Sequence, residues 1–199
     1  MAVIEILGRD ERTERQFRLG HLLTVALIVV GLLYGLNLRD GAIFATQPYN
    51  NVRAGISMDY PVAWLLDTDG DYVVRLRDMR RIGYKTTIQI TLAPAGGSAS
   101  NRNILDVVNI SRPLRLNSYD VQAIEPYTMP DGTAATRMTY TFVDDEPNKF
   151  LQTVPVVVIG WDVLVRRGEQ ALIVTFRSDA NTFDADLVFF ERLLSSLEF

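Results

Sequence analysis

The chain has 199 residues, 48% hydrophobic and 22% charged, with no cysteine and a formal net charge of −4 at pH 7. Its length fits one compact domain, and its charged fraction excludes both a multi-span membrane protein and a disordered chain. Without cysteine there are no disulfides, thiolate nucleophiles or cysteine metal sites.

Residues 1–18 set Arg9, Arg12, Arg15 and Arg18 against Glu5, Asp10, Glu11 and Glu14, a neutral tail with no polybasic lipid clamp. Glu11 with Arg15 and Glu14 with Arg18 are i,i+4 pairs in the favourable orientation, so the tail is predicted to continue the helix that follows. Ahead of it Val3, Ile4, Ile6 and Leu7 form a short apolar patch that needs a membrane surface or a partner, and is a candidate interface. Residues 19–38 (LGHLLTVALIVVGLLYGLNL) carry no formal charge; as a helix they span roughly 30 Å, the thickness of a bilayer's hydrocarbon. Only Arg39 and Arg53 follow closely, so the arginine excess places the N-terminus in the cytoplasm and the rest of the chain outside the cytoplasmic membrane. A cleaved signal peptide is the rival reading. Against it, the run is long for a signal's apolar region, Arg39 and Asp40 interrupt the approach to a cleavage site, and Phe44 stands where a small residue is preferred. A single-pass anchor is therefore expected. Within it Gly31 and Gly35 form a G-x-x-x-G, a candidate helix-packing face, and His21, the one histidine, is expected at headgroup depth.

Residues 39–48 read as a linker and 49–199 as an extracytoplasmic domain. From residue 45 onward there are 15 Lys/Arg and 19 Asp/Glu, no footprint for nucleic acid. Gly55–Tyr60 reads as a strand stopped by Pro61. Asp67, Asp69 and Asp71 around Gly70 read as an Asp-Gly turn or, alternatively, as oxygen ligands for a cation. Tyr72, Val74 and Leu76 alternate with Val73, Arg75 and Arg77, and Ile88, Ile90 and Leu92 alternate with Thr87, Gln89 and Thr91; these are strands with one wetter face. The intervening cluster Arg77, Arg80, Arg81 and Lys85 is expected on a solvated loop. The Gly-rich run 94–98 lacks the lysine of a P-loop and reads as a connection. It leads to a helix over 100–111 capped by Ser98 or Ser100.

Further strands are predicted over 119–127 and around Met138, Tyr140 and Phe142, followed by the acidic turn Asp144-Asp145-Glu146, weakly suited to a cation. Strands at 154–159, 163–166 and 171–176 follow, the last two flanking an Arg167-Gly168 hairpin. A closing helix carries Phe183, Leu187, Phe190, Leu194 and Leu197 on one stripe, with Asp184 and Asp186 at its N-terminus. The class is α+β, a central antiparallel sheet flanked by helices after one N-terminal transmembrane helix.

Nucleophilic catalysis needs a base beside the nucleophile. The domain has no histidine, and its lysines, Lys85 and Lys149, lie in no Ser-x-x-Lys motif. No catalytic, cofactor-binding or metal residue is assigned and no enzyme is expected. Trp64 and Trp161, the largest apolar side chains, read as core plugs or interface anchors.

The segment from Tyr49 to Trp64, with its Gly55-Ile56-x-Met58-x-Tyr60-Pro61-x-x-Trp64 spacing, resembles the opening strand of PsbP-like domains. The resemblance extends to Asp131-Gly132 before a strand, the Arg167-Gly168 hairpin and the closing helix ending Leu-Leu-Ser-Ser-Leu-Glu-Phe. It implies an α/β/α sandwich and a non-catalytic role, because such relatives include accessory subunits of photosynthetic membrane complexes, assembly factors and bacterial envelope proteins. The expected function is thus a membrane-anchored accessory or assembly subunit of a larger complex, of photosynthetic or respiratory electron transfer. Its contacts with other subunits would run through the membrane helix and tail. The alternative is an envelope-tethered binding module for a small ligand, lipid or transported molecule.

Overall fold

The computed structural model describes residues 11–81, 83–96, 100–145 and 154–199, with side chains from residue 18 onward. It divides into two units that meet between Ala45 and Thr46.

The first unit is helix α1 (Glu11–Ile43). Its segment Arg18–Ile43, 26 residues of mean hydropathy 2.2, is long and apolar enough to cross a membrane. Gly31 and Gly35 sit one turn apart, and a methyl group on either would meet nothing within 4 Å. Val3, Ile4, Ile6 and Leu7 lie outside the described residues. The segment 39–48, read as a linker, carries the last residues of α1 and the start of a strand at Thr46. The helix runs on because residues 39–43 contain no proline, and the Phe44 amide extends it by donating to the Asp40 carbonyl at 3.0 Å.

In the second unit β1 (Thr46–Asn51) and β2 (Ile56–Pro61) form an antiparallel pair, and seven further strands form one antiparallel sheet in the order β3-β4-β5-β9-β8-β7-β6. These are β3 (Leu65–Asp67), β4 (Val74–Arg77), β5 (Thr87–Pro94), β6 (Asn117–Thr128), β7 (Ala134–Asp144), β8 (Val156–Arg167) and β9 (Gln170–Asp179). Helices α2 (Asn101–Ser111) and α3 (Phe183–Ser196) accompany them. The predicted α+β class with a central antiparallel sheet and flanking helices is the class observed.

The two periodicities explain the layers. On one face Val74, Leu76, Ile88, Ile90, Val174 and Phe176, all 0% exposed, meet α3, with Phe176 stacked on Phe190 at 5.0 Å and tilted against Phe183 at 5.2 Å. Four of the five residues of the predicted α3 stripe, Phe183, Phe190, Leu194 and Leu197, are buried and Leu187 is half-buried; the buried face extends to Asp186, Phe189 and Leu193. A polar attachment brings Asp186 inward. Strand β2 joins this layer through Ile56 and Met58, and the chain end pairs with it by reciprocal Ser57–Glu198 amide bonds of 2.9 and 2.8 Å. Trp64, an interface candidate in the sequence, is 4% exposed and packs on Phe189 at 5.6 Å, so its ring lies in the core.

On the opposite face α2 lays Ile104 and Leu105 over Met138, Tyr140, Phe142, Val158 and Leu164. Ser100 caps α2 by accepting from the Asn103 amide at 3.2 Å. Strand β8 is continuous where the sequence pattern divides it at Gly160-Trp161-Asp162. A glycine and an acid interrupt the apolar run, but both find a use inside the sheet. The β8–β9 turn is Gly168-Glu169, with Gly168 at φ 60°, a conformation that suits glycine.

The basic loop is exposed as expected at Arg80, yet it is also tied down: Arg80 pairs with buried Asp78 at 2.9 Å and Arg81 with buried Asp186, so its arginines serve as attachments as well. Burial pushes the Asp78 carboxyl up, but the bonds from the Arg80 side chain and amide and the charges of Arg80 and Arg81 outweigh it and hold the group below its ordinary value.

Candidate functional site

The face of the sheet turned toward α2 is apolar at one end and polar at the other. One register row runs Asp67, Arg75, Gln89, Thr175, Asp162, Met138 across β3, β4, β5, β9, β8 and β7. It follows from strand alternation: once Val74, Leu76, Ile88 and Ile90 point to α3, Arg75, Gln89 and Thr91 must point the other way. Helix α2 covers the β7–β8 end. Toward β4 the polar side chains line a cavity of about 460 Å³, to which Tyr72, Arg75, Gln89, Thr91, Thr175 and Arg177 contribute from the sheet side. Ser111, Arg112 and Arg115, at and just beyond the end of α2, close it, with Asp71 also on its lining.

Two ion pairs anchor the row. Arg112 stands 2.6 Å from Asp162, the pair being 8% and 0% exposed as residues. The Thr175 hydroxyl donates to the other Asp162 oxygen at 2.7 Å, and the Arg112 guanidinium lies 4.3 Å from the Tyr140 ring centre. At the far end Arg75 donates to Asp67 at 2.6 Å and lies 4.6 Å from the Tyr72 ring centre. The Asp67 carboxyl is held well below the usual carboxylate range by the Asp69 amide, then by the Tyr72 hydroxyl and Arg75. This spends the oxygens of Asp67 inside the protein and leaves the Asp67–Asp69–Asp71 segment as a turn. Among the described residues no three His, Asp or Glu side chains gather where a metal could be held. Glu146 of the acidic turn lies outside those residues, while Asp145 accepts from Asn117 at 2.6 Å.

Arg177 differs from its neighbours. Its Nε donates to the Tyr140 hydroxyl at 2.9 Å, and its guanidinium lies 5.8 Å from the Phe142 ring centre. Tyr140 reaches it across β8 because position 160 is glycine: a Cβ there would stand 2.2 Å from Tyr140 Cζ. Burial pushes the Tyr140 phenol up, so it stays protonated at neutral pH and offers Arg177 a lone pair. Gly160→Ala is expected to destabilise the domain by about 1–3 kcal/mol through overpacking. The check is urea unfolding of the chain in mild detergent, followed by tryptophan fluorescence; both tryptophans, Trp64 and Trp161, lie in the domain. An unchanged midpoint would contradict this placement of the ring.

Of the sequence candidates, Trp161 is half-buried on the α3 face, edge-on to Phe183 at 5.4 Å and under the Arg137 guanidinium at 4.1 Å. Neither it nor Trp64 lines the cavity, and Gly31 and Gly35 belong to the other unit. Of the cavity residues, only Asp71 figures among the candidate ligands that the sequence offers. Asp162 was the available signal, a lone acid inside Val-Val-Val-Ile-Gly-Trp-Asp-Val-Leu-Val, where an unpaired charge would be costly.

No protein-family model matches the chain, and no curated protein matches it. Among solved structures, the solution structure of cyanobacterial PsbP from Synechocystis aligns with a TM-score of 0.54 and 13% identity, covering 77% of this chain and 92% of that one. The domain has the PsbP-like fold. Looser similarity extends to a Bacteroides thetaiotaomicron protein (TM-score 0.47, 13% identity, 76% of this chain and 47% of that one) and to a Pseudomonas aeruginosa protein of unknown function (TM-score 0.48, 12% identity, 75% and 94%). The resemblance read from Ile56, Met58 and Trp64 thus rests on residues that serve the PsbP-like core: all three are buried.

Proposed function

We propose that the protein is a non-catalytic, membrane-anchored accessory or assembly subunit of a larger membrane complex, with a complex of photosynthetic or respiratory electron transfer as the specific case. The observation that carries the reading is α1, whose segment Arg18–Ile43 is long and apolar enough to cross a membrane. The PsbP-like fold supports the accessory role, since the aligned Synechocystis protein is a cyanobacterial PsbP. The arginines before the span, Arg9 to Arg18, support a cytoplasmic N-terminus and an extracytoplasmic domain. Gly31 and Gly35 supply a face on which a second helix packs closely.

Membranes solubilised in mild detergent and run on a native gel test the idea. The protein is expected to migrate with stoichiometric partners well above its own 22.4 kDa, and Gly31→Leu with Gly35→Leu to weaken that association. Migration of the wild-type chain only as a free species sinks the proposal.

A further inference from the structure

The domain is acidic, yet its cavity is cationic. Among the described residues four arginines line it, Arg75, Arg112, Arg115 and Arg177, with Asp71 as the sole acid on the lining. Asp67 neutralises Arg75 and Asp162 neutralises Arg112 from the walls. Among the described residues Arg115 and Arg177 have no carboxylate within 4 Å. Arg177 is the more telling of the two, because it is half-buried and its Nε donates only to a neutral phenol. A guanidinium held in such a place without a counter-charge loses hydration that Tyr140 and Phe142 do not fully replace.

The neutral groups of the cavity point the same way. The Gln89 amide donates to Thr91 Oγ1 at 3.2 Å, which leaves the Thr91 hydroxyl proton available to an acceptor. Arg75 Nε is buried without a hydrogen-bond partner, an under-used donor on the same wall. The cavity's donors therefore outnumber the acceptors that the protein supplies, and its volume is in the range that takes a small molecule.

We propose that this cavity binds a small oxyanion, a carboxylate or phosphate group, with Arg177 and Arg115 as the ligand-facing charges and Thr91 as a neutral donor. Guanidinium forks suit both groups, since either presents paired oxygens to parallel N–H bonds. The inference goes beyond the accessory role and does not depend on it: a subunit of a complex and a free envelope protein can each carry such a site.

The test uses the full chain in detergent micelles, with inorganic phosphate and succinate as separate probes at constant ionic strength. A saturable rise in thermal midpoint of roughly 3–6 °C at ten times Kd is expected, and whichever probe binds more tightly identifies the oxyanion. Arg115→Gln changes an exposed side chain and leaves the fold intact, so it is expected to weaken binding about tenfold; Arg177→Gln is expected to abolish it. Arg102→Gln, exposed on α2 and outside the cavity lining, is expected to change nothing. The proposal is overturned if neither probe shifts the wild-type midpoint. It is equally overturned if Arg115→Gln and Arg102→Gln respond like the wild type, since the anions then act on the general surface.

Discussion

Asp162→Ala is expected to cost about 3–5 kcal/mol of stability, a large part of the margin of a domain this size. The residue is fully buried, and it both neutralises Arg112 at 2.6 Å and accepts from Thr175 at 2.7 Å. Its removal leaves an arginine charge enclosed by α2, Tyr119 and Tyr140 with no counter-ion. The loss is that of a stranded charge rather than of the pair's own attraction, because burying both ions has already cost most of what their contact returns. A second chain carrying Asp162→Leu and Arg112→Met is therefore expected to recover most of the loss. Urea unfolding followed by tryptophan fluorescence measures both. If the double variant falls as far as the single one, the interaction is one of packing and shape, and the charge argument is wrong.

The same pair shows where sequence reading stops. Strands β4, β5 and β7 are legible from their alternation because each buries one apolar face, and α3 is legible because its large side chains recur at helical spacing. The PsbP-like signature is legible because Ile56, Met58 and Trp64 occupy core positions at short sequence distances. Strand β1, Thr-Gln-Pro-Tyr-Asn-Asn, offers no apolar period and is held by its register with β2, so nothing local announces it. Pairings between distant charges are less visible still. Arg112 and Asp162 are 50 positions apart in the numbering, Arg81 and Asp186 are separated by 105, and neither sequence neighbourhood names its partner. The wetter faces of β4 and β5 are readable as polar, but only the strand order that sets β9 and β8 beside them turns those faces into an arginine-lined cavity.

Asp186→Ala tests the other buried carboxylate, and its expected cost is about 3 kcal/mol. Asp186 sits in the first turn of α3 and is 1% exposed. It accepts from the hydroxyls of Thr86 at 2.7 Å, Ser178 at 2.6 Å and Thr182 at 3.0 Å, and it pairs with Arg81. Thr86 and Ser178 are themselves 0% exposed, so without the carboxylate two hydroxyls lose their acceptor where water does not reach easily. Asp184 provides the control. It lies in the same first turn but faces solvent, and its contribution is limited to the favourable field at a helix N-terminus, so Asp184→Ala is expected to cost less than about 1 kcal/mol. Measured side by side in the same unfolding assay, the two variants separate the effect of the helix dipole from that of the hydrogen-bonded attachment. Equal losses would mean that the attachment of α3 to β9 and the β4–β5 loop adds nothing beyond the dipole. A large gap would identify the Asp186 cluster as the polar attachment that holds α3 on the sheet.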